Sequence, residues 1–195
     1  MTKITPEMEE RLRQIFKQFN RFMLWMWRLG LGPIINMWPE KMGQIMVLTH
    51  IGRKSGQRRQ TPVNYALVNG DVYCTAGFGA ISDWYRNVRV NPQVEIWLPD
   101  GWWEGTAEDV SDAPDRLALL RAVLIGSGFA AEAAGIFPQQ MDDAALDAAT
   151  QTYRLVRVHR TAARTGPGGP GELAWVWPLA TFLLLPLLFR RRHCR

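Results

Sequence analysis

Two tight-turn sequences, Asn69-Gly70-Asp71 and Asp100-Gly101, each lie between two runs of strand-forming residues. Asn-Gly and Asp-Gly pairs favour the short turns that join antiparallel strands, because these residues tolerate the positive φ angles that such turns need. Strands are predicted over residues 44–51, 60–68, 71–77, 93–98, 102–110 and 153–158. Six strands with mostly short connections predict a small, partly open β-barrel whose gaps are filled by helices.

The helices are predicted from apolar spacing. Apolar residues recur every three or four positions over residues 6–29, which predicts a long first helix. Further helices are predicted over 84–90, ending before Asn91-Pro92, then over 112–126 and near residue 144. Basic residues opposite the apolar face of the first helix are typical of a helix that lies on a bilayer. A helix that caps the barrel or forms a dimer face explains the same pattern.

Composition and charge limit the functional classes. The chain has 195 residues, of which 47% are hydrophobic and 21% charged, which fits one globular domain with accessory segments. Residues 1–60 contain eleven Lys or Arg and four Asp or Glu, whereas residues 61–153 contain four and thirteen. Basic ends around an acidic centre argue against a nucleic-acid-binding domain. They fit an anionic membrane surface together with a phosphorylated ligand.

The cysteines and histidines predict neither a disulfide framework nor a metal site. Cys74 lies in a predicted strand and Cys194 is the penultimate residue, which fits a reducing, cytoplasmic setting. His50, His159 and His193 are too scattered for a known metal-ligand spacing, so no metal is expected. His50 is interpreted as a strand residue at the mouth of a turn rather than as a catalytic base.

That turn follows the first predicted strand and is strongly basic. Its charged and polar residues are Arg53, Lys54, Ser55, Arg58 and Arg59, and its glycines are Gly52 and Gly56. Glycines let a backbone turn sharply and expose N–H groups, and guanidinium groups bind phosphate or carboxylate with paired donors. The turn is therefore interpreted as an anion cradle, with a solvated basic β-turn as the alternative.

Three motifs follow one another in the chain. They are Thr49-His50-Ile51-Gly52-Arg53-Lys54-Ser55-Gly56 with Arg59 and Pro62, then Thr75-Ala76-Gly77-Phe78-Gly79, then Asp83-Trp84-Tyr85-Arg86-Asn87 with Asn91-Pro92. Over residues 19–161 this order and spacing resembles the deazaflavin-dependent nitroreductase and quinone reductase family. The resemblance implies a six-stranded split β-barrel, like that of flavin reductases and pyridoxamine-phosphate oxidases. It also implies binding of coenzyme F-420, an 8-hydroxy-5-deazaflavin with a phosphate and a polyglutamate tail.

The resemblance further implies an oxidoreductase that transfers a hydride from reduced coenzyme F-420 to quinones or to nitro and other electrophilic organic compounds. The cofactor-binding residues that it implies are Gly52, Arg53, Lys54, Ser55, Gly56, Arg58, Arg59, Pro62, Thr75, Ala76, Gly77, Phe78, Gly79, Asp83, Trp84 and Asn87.

In this interpretation the basic turn holds the anionic tail, and the glycines at 77 and 79 let the ring approach the backbone. Pro62 and Trp84 wall the ring, although Trp84 is equally well explained as a core anchor. Because the coenzyme carries the chemistry, no catalytic triad is expected. No general acid and no catalytic residue is assigned; Tyr65, Tyr85, His50 and water are the candidate proton sources.

Other functions fit the same fold. A non-catalytic carrier of a deazaflavin, flavin or tetrapyrrole is the main alternative. A flavin mononucleotide oxidase is weaker, because the basic turn suits a longer anion. The expected partners are a small quinone or nitro substrate and the inner membrane surface, without nucleic acid; a homodimer is compatible with the sequence.

The C-terminal region departs from this pattern. A Gly/Pro-rich stretch precedes seventeen uncharged residues, 173–189, which end at Arg190-Arg191-Arg192. This apolar tail predicts membrane association, although Pro178 and Pro186 weaken a spanning helix; packing on the barrel or on a partner is the alternative. No secretory signal peptide is recognised, so the cytoplasmic face of the cell membrane is the expected location. The predicted domains are 1–40 (helix and connector), 41–161 (barrel), 162–171 (linker) and 172–195 (tail).

Overall fold

A computed structural model of the chain describes residues 6–37 and 43–192. The predicted domain boundary at residue 40, and Cys194, lie outside the described residues. In chain order the elements are α1 (Pro6–Arg28), α2 (Gly32–Ile35), β1 (Ile45–Ile51), β2 (Arg58–Val68), β3 (Asp71–Ala76), a 3-10 helix (Gly79–Ile81), α3 (Asp83–Val90), β4 (Gln93–Leu98), β5 (Gly101–Asp109), α4 (Arg116–Gly126), α5 (Phe129–Ala133), α6 (Asp143–Thr150), β6 (Arg154–Ala163) and α7 (Val176–Arg192).

The six strands form a closed antiparallel barrel in the order β1-β2-β3-β6-β5-β4. The predicted six-stranded barrel is therefore confirmed. The ring is closed rather than partly open, because β1 pairs with β2 on one edge and with β4 on the other. The closing contact is short, from Val47 opposite Trp97 to Thr49 opposite Glu95.

The β2–β3 hairpin forms where the sequence predicted it. Asn69 and Gly70 both have positive φ angles, 52° and 90°. This geometry matches the right-handed twist of the paired strands, which is why Asn-Gly is favoured there. The turn sets the register that places Tyr65 opposite Cys74 and Val68 opposite Asp71.

Apolar side chains fill the barrel and two layers outside it. The interior cluster includes Met46, Leu48, Val72, Ile96 and Val158. A second cluster lies between the outer faces of β2, β3 and β6 and the helices α4 and α6. Because helices cover the outer face of several strands, those strands are buried on both sides.

The first helix covers the outer face of β1. Trp27 packs with Val47, Trp97 and Trp102, and Met23 packs with Ile35 and Ile45. This is the barrel-capping arrangement that the sequence left open. Other side chains of α1, including Phe22 and Trp25, remain exposed.

The chain beyond β6 returns to α1. The backbone N–H of Gly171 donates to the carbonyl of Trp27 at 3.0 Å, so the Gly/Pro-rich stretch passes beside the first helix. α7 follows as a single helix of 17 residues despite its two prolines. None of the helices in residues 6–37 and 43–192 combines the length and the apolar character that a membrane crossing requires.

Candidate functional site

The basic turn between β1 and β2 is closed by its own backbone. The N–H of Gly52 donates to the carbonyl of Gln57 at 2.9 Å, and the N–H of Gly56 donates to the carbonyl of Gly52 at 2.8 Å. Gly56 has a φ of +65°, which a residue with a side chain rarely adopts. A Cβ on Gly52 would lie 2.8 Å from the Ser55 Oγ and 2.9 Å from the Arg59 Nε, so both side chains would have to move to make room for it.

The four cations of the turn are not equivalent. Arg53 pairs with Asp83 at 3.0 Å, and Arg58 pairs with Glu95 of β4 at 2.6 Å. Within the described residues, the side chains of Lys54 and Arg59 make no hydrogen bond or ion pair. All four were predicted to form an anion cradle. Acidic residues far along the chain neutralise Arg53 and Arg58, so of these four only the side chains of Lys54 and Arg59 have no partner in the described part of the chain.

Arg53 joins the turn to α3. Its backbone N–H and its Nη1 both donate to the Oδ1 of Asn87, at 3.1 and 2.9 Å. Its Nη2 donates to the Asp83 carboxylate, and this hydrogen bond lowers the pKa of Asp83. Asn87 is buried and Asp83 is exposed, so one guanidinium spans from the protein interior to the surface.

Behind Asn87 lies a buried polar chain that the sequence did not indicate. The Nδ2 of Asn87 lies 3.2 Å from the Nδ1 of His50, and the Nε2 of His50 lies 3.2 Å from the Oγ1 of Thr61. Burial, with a contribution from nearby Arg59, lowers the pKa of His50 to about 4. His50 is therefore neutral at pH 7. Its role is to hold Asn87, which agrees with its interpretation as a strand residue.

The second motif lies where β3 ends beside β6. The Oγ1 of Thr75 donates to the carbonyl of Arg154 at 3.0 Å, and Ala76 is buried. Gly77 is exposed, Phe78 is partly exposed, and Gly79 begins the 3-10 helix with a φ of +63°. A Cβ on Gly79 would lie 2.3 Å from the Thr152 carbonyl oxygen. Gly79 therefore serves the fold, whereas Gly77 leaves backbone open to solvent.

Pro62 and Trp84 both belong to the barrel structure. Pro62 lies within β2 opposite Val47 and is buried. Trp84 is half-buried against the barrel core, and its ring meets Tyr85 edge to face with a centroid distance of 6.4 Å. This packing is the core-anchor arrangement for Trp84; contact with a coenzyme ring stays a prediction.

The predicted site residues form two groups that meet at α3. Arg53 ties the turn to Asp83 and Asn87, and Arg86 of α3 donates to the carbonyl of Ala80, next to Gly79, at 2.7 Å. No hydrogen bond or ion pair among the described residues joins the basic turn directly to the Thr75–Gly79 segment. α3 therefore has hydrogen bonds both to the basic turn and to the end of the second segment.

The predicted proton donors are not free to act. Tyr65 lies in the barrel core, where burial raises its pKa to about 12. The hydroxyl of Tyr85 donates to the carboxylate of Asp109. Sequence reasoning missed Tyr153, whose hydroxyl lies 3.8 Å from the position of a Cβ on Gly77 and has no partner among the described residues. Only the folding of β6 against the end of β3 reveals this neighbour.

The described residues contain no group of three or more His, Cys, Asp or Glu placed to hold a metal ion. Two surface cavities, of about 130 and 230 Å³, lie away from the basic turn. One is next to Asp109 and the other is next to Trp27. Gly77 and residues 54–59 of the basic turn are exposed at the surface.

The residues of this surface fit a phosphorylated deazaflavin. The backbone N–H groups of Lys54 and Ser55 have no acceptor in the described part of the chain, and the side chains of Lys54 and Arg59 are exposed beside them. Nothing lies within 4 Å of a Cβ on Gly56, so the turn is open on that side. Free N–H groups next to unpaired cations are suited to phosphate or carboxylate.

Similar folds occur among solved structures. The chain resembles the conserved hypothetical protein Rv2991 from Mycobacterium tuberculosis, with 23% identity, 69% of this chain and 79% of that chain covered, and a TM-score of 0.44. It resembles the F-420-H2 dependent reductase FDR-A, with 24% identity, 60% and 94% covered, and a TM-score of 0.42. It also resembles the heme storage protein HutZ from Vibrio cholerae, with 14% identity, 71% and 94% covered, and a TM-score of 0.44.

The model of one protein family, F-420H(2)-dependent quinone reductase, matches residues 19–134. That region is more than half of the chain, and it contains every residue of the predicted cofactor site. The resemblance seen in the motifs is thereby confirmed. The chain belongs to the F-420H(2)-dependent quinone reductase family, and it is an oxidoreductase whose cofactor is coenzyme F-420.

Proposed function

We propose that this protein transfers a hydride from reduced coenzyme F-420 to a quinone, and that nitro and other electrophilic organic compounds serve as further acceptors. One observation carries the proposal. In the basic turn, the side chains of Lys54 and Arg59 and two backbone N–H groups have no partner among the described residues, while Arg53 fixes that turn to α3. This arrangement supports binding of a long anionic tail beside a site that is open to a second molecule.

The protein's part in the reaction is to bind and orient. Reduced coenzyme F-420 supplies the hydride when it is bound. Lys54 and Arg59 hold its anionic tail, and Asn87 keeps the turn in place through Arg53. The exposed backbone at Gly77 allows the flat ring to approach closely. Hydride transfer needs donor and acceptor carbons about 3–3.5 Å apart, so this positioning is the main catalytic contribution of the chain.

Reduction of a quinone to a hydroquinone consumes one hydride and one proton. Tyr153 is the best-placed side chain to donate that proton, because its unpartnered hydroxyl lies beside Gly77. Burial raises the pKa of Tyr153, as it does that of Tyr65, so both hydroxyls are protonated at pH 7. Tyr153 is preferred because it lies beside the exposed Gly77, whereas Tyr65 lies inside the barrel. Water then returns a proton to the phenolate. His50 is neutral and lies behind Asn87, which makes it unsuited to this step.

The test is turnover with defined acceptors. The full-length protein is mixed with reduced coenzyme F-420 and with menadione, a nitroaromatic compound or no acceptor, and the return of the deazaflavin absorbance is followed. Reoxidation that depends on menadione supports the proposal. Binding of the coenzyme without turnover for any acceptor would instead identify a carrier. Absence of coenzyme binding would contradict the proposed site.

The predicted position on the cytoplasmic face of the cell membrane would bring the barrel close to lipid quinones. This location remains a proposal. It is separate from the assignment of the reaction, since menadione is water-soluble enough to be tested without a membrane.

A further inference from the structure

The C-terminal helix carries a large exposed apolar surface. Its exposed side chains, together with the residues just before it, are Trp175, Trp177, Leu179, Phe182, Leu183, Leu184 and Leu185. Phe22 and Trp25 of α1 are exposed as well, at 57% and 52%. We call these nine residues the apolar platform. Soluble monomers rarely expose large apolar patches, and large exposed patches mark surfaces that bind a partner or a membrane.

The platform is attached firmly to the barrel. The indole Nε1 of Trp177 donates to the carbonyl of Leu29 at 2.9 Å, and the N–H of Leu173 donates to the carbonyl of Arg28 at 2.8 Å. The guanidinium of Arg28 also pairs with the carboxylate of Glu172. α1 is itself fixed by Trp27, which is buried against β1, β4 and β5. The start of α7 therefore has one position relative to the barrel.

The distribution of exposure around α7 distinguishes a lipid from a protein occupant. Phe182, Leu183, Leu184 and Leu185 are consecutive and all exposed, with Phe182 at 76%. At 100° per residue, four consecutive positions cover about 300° of the helix circumference. A protein groove, or a second copy of this chain, covers one face of a helix, at spacings of three and four residues. Lipid chains can contact a helix on all sides, which matches the apolar exposure around most of the circumference of α7.

The charges near the platform favour an anionic surface. Arg21 of α1 is exposed, whereas Arg28 is already paired with Glu172. α7 ends in Arg190, Arg191 and Arg192, and the sequence from Leu173 to Arg192 contains no acidic residue. The tryptophans at the start of the helix suit the level of the lipid headgroups, because indole rings prefer the membrane interface.

The length of α7 limits how far this helix can extend into a bilayer. Its 17 residues extend about 25 Å, less than the hydrocarbon thickness of about 30 Å, and none of the described helices meets the requirements for a crossing. We propose that α7 lies along one leaflet of an anionic bilayer without crossing it, so that the tryptophans at its start and the arginines at its end both reach the headgroups, while Phe22 and Trp25 rest at the surface. The barrel is thereby held against the membrane. This inference does not depend on the proposed reaction.

The test is vesicle flotation of the full-length protein. Vesicles of phosphatidylglycerol and phosphatidylcholine are compared with vesicles of phosphatidylcholine alone, and the variant F182E/L183E is compared with L67E. Leu67 is an exposed leucine on the barrel wall, so its substitution is a matched control. We expect the protein and L67E to float with the anionic vesicles, and partitioning of F182E/L183E to fall by roughly tenfold or more. Binding should weaken as salt is raised.

Three results would overturn the proposal. The first is a protein that stays unbound in the presence of anionic vesicles. The second is a variant F182E/L183E that floats as well as the unchanged chain. The third is a dimer, measured by light scattering without vesicles, that dissociates in F182E/L183E while vesicle binding is absent. The last result would assign the platform to a second copy of the chain. Because the substituted residues are exposed, circular dichroism should show both variants folded.

Discussion

Asn87 holds Arg53 twice, since its Oδ1 accepts hydrogen bonds from the backbone N–H of Arg53 at 3.1 Å and from its Nη1 at 2.9 Å. The two residues are 34 positions apart in the chain. One buried amide thus fixes both the backbone and the charged end of the turn. The basic turn is positioned by α3 rather than by its own hydrogen bonds alone.

Substitution of Asn87 should therefore disturb both stability and binding. Asn87→Ala leaves the Arg53 N–H and a buried His50 nitrogen without partners, which should lower the free energy of unfolding by about 1–3 kcal/mol. The dissociation constant for coenzyme F-420 should rise as well. The control is Asn91→Ala, because the Oδ1 of Asn91 accepts only one exposed backbone N–H, from Gln93. Urea unfolding and coenzyme titration measure the two effects; equal behaviour of both variants would contradict this role of Asn87.

The unequal cations of the turn predict unequal losses of affinity. K54A/R59A removes the two unpaired charges and should raise the dissociation constant for coenzyme F-420 by roughly tenfold or more, because charge-assisted hydrogen bonds to an anion are strong. The salt dependence of binding should also become smaller. Arg58→Ala is the comparison, since Arg58 is already paired with Glu95. If Arg58→Ala weakens binding as much as the double variant, the proposed division of roles is wrong.

Gly77 and Gly79 should respond differently to alanine. Gly79→Ala places a Cβ on a residue with a φ of +63° and 2.3 Å from the Thr152 carbonyl, so stability should fall by about 2 kcal/mol or more. A Cβ on Gly77 would lie 3.7 Å from the Tyr153 ring, an ordinary contact. Gly77→Ala should therefore fold normally and lose coenzyme affinity. Thermal unfolding and coenzyme titration separate these outcomes. Unchanged coenzyme affinity in Gly77→Ala would show that the coenzyme ring does not bind against this segment.

His50 should make stability depend on pH. Its pKa is about 4 in the folded protein, mainly because of burial, and about 6.5 in an unfolded chain. The unfolded state therefore binds more protons between these values, and stability is lost as the pH falls from about 6.5 towards 4. Linkage gives a loss of about 2 kcal/mol between pH 7 and pH 5.

The measurement for His50 is urea unfolding at both pH values for the unchanged chain and for His50→Gln. The loss attributed to His50 is the difference between the two pH dependences, because all other titrating groups are shared. An identical pH dependence in the two proteins would show that His50 does not titrate as described.

Tyr153 should matter for turnover more than for binding. Tyr153→Phe removes the hydroxyl beside Gly77 and keeps the ring, so coenzyme affinity and stability should change little. The rate of menadione reduction should fall by roughly tenfold or more if this hydroxyl donates the proton. Tyr65→Phe is a control inside the barrel core. If the solvent isotope effect on menadione reduction is unchanged in Tyr153→Phe, the proton comes from water rather than from Tyr153.

The fold could be predicted from sequence to a large extent. The Asn69-Gly70 hairpin depends on local φ preferences, which residue type alone determines. The basic turn and the order of the three motifs were also visible, and the family match over residues 19–134 confirms the family that they indicated. The closure of the barrel was not visible, because it depends on the short pairing of β1 with β4 across a long stretch of chain.

The sequence by itself determined the strands, their turns, the family and the residue types of the candidate site. Only the tertiary structure decided which cations are free, since Asp83 and Glu95 are 30 and 37 residues from the arginines they pair with. The same is true of Tyr153 beside Gly77 and of Trp177 on the end of α1. Local backbone preferences act over a few residues and can be recognised in a sequence. Ion pairs between distant residues, and hydrogen bonds from side chains to distant backbone groups, depend on how the helices and strands pack.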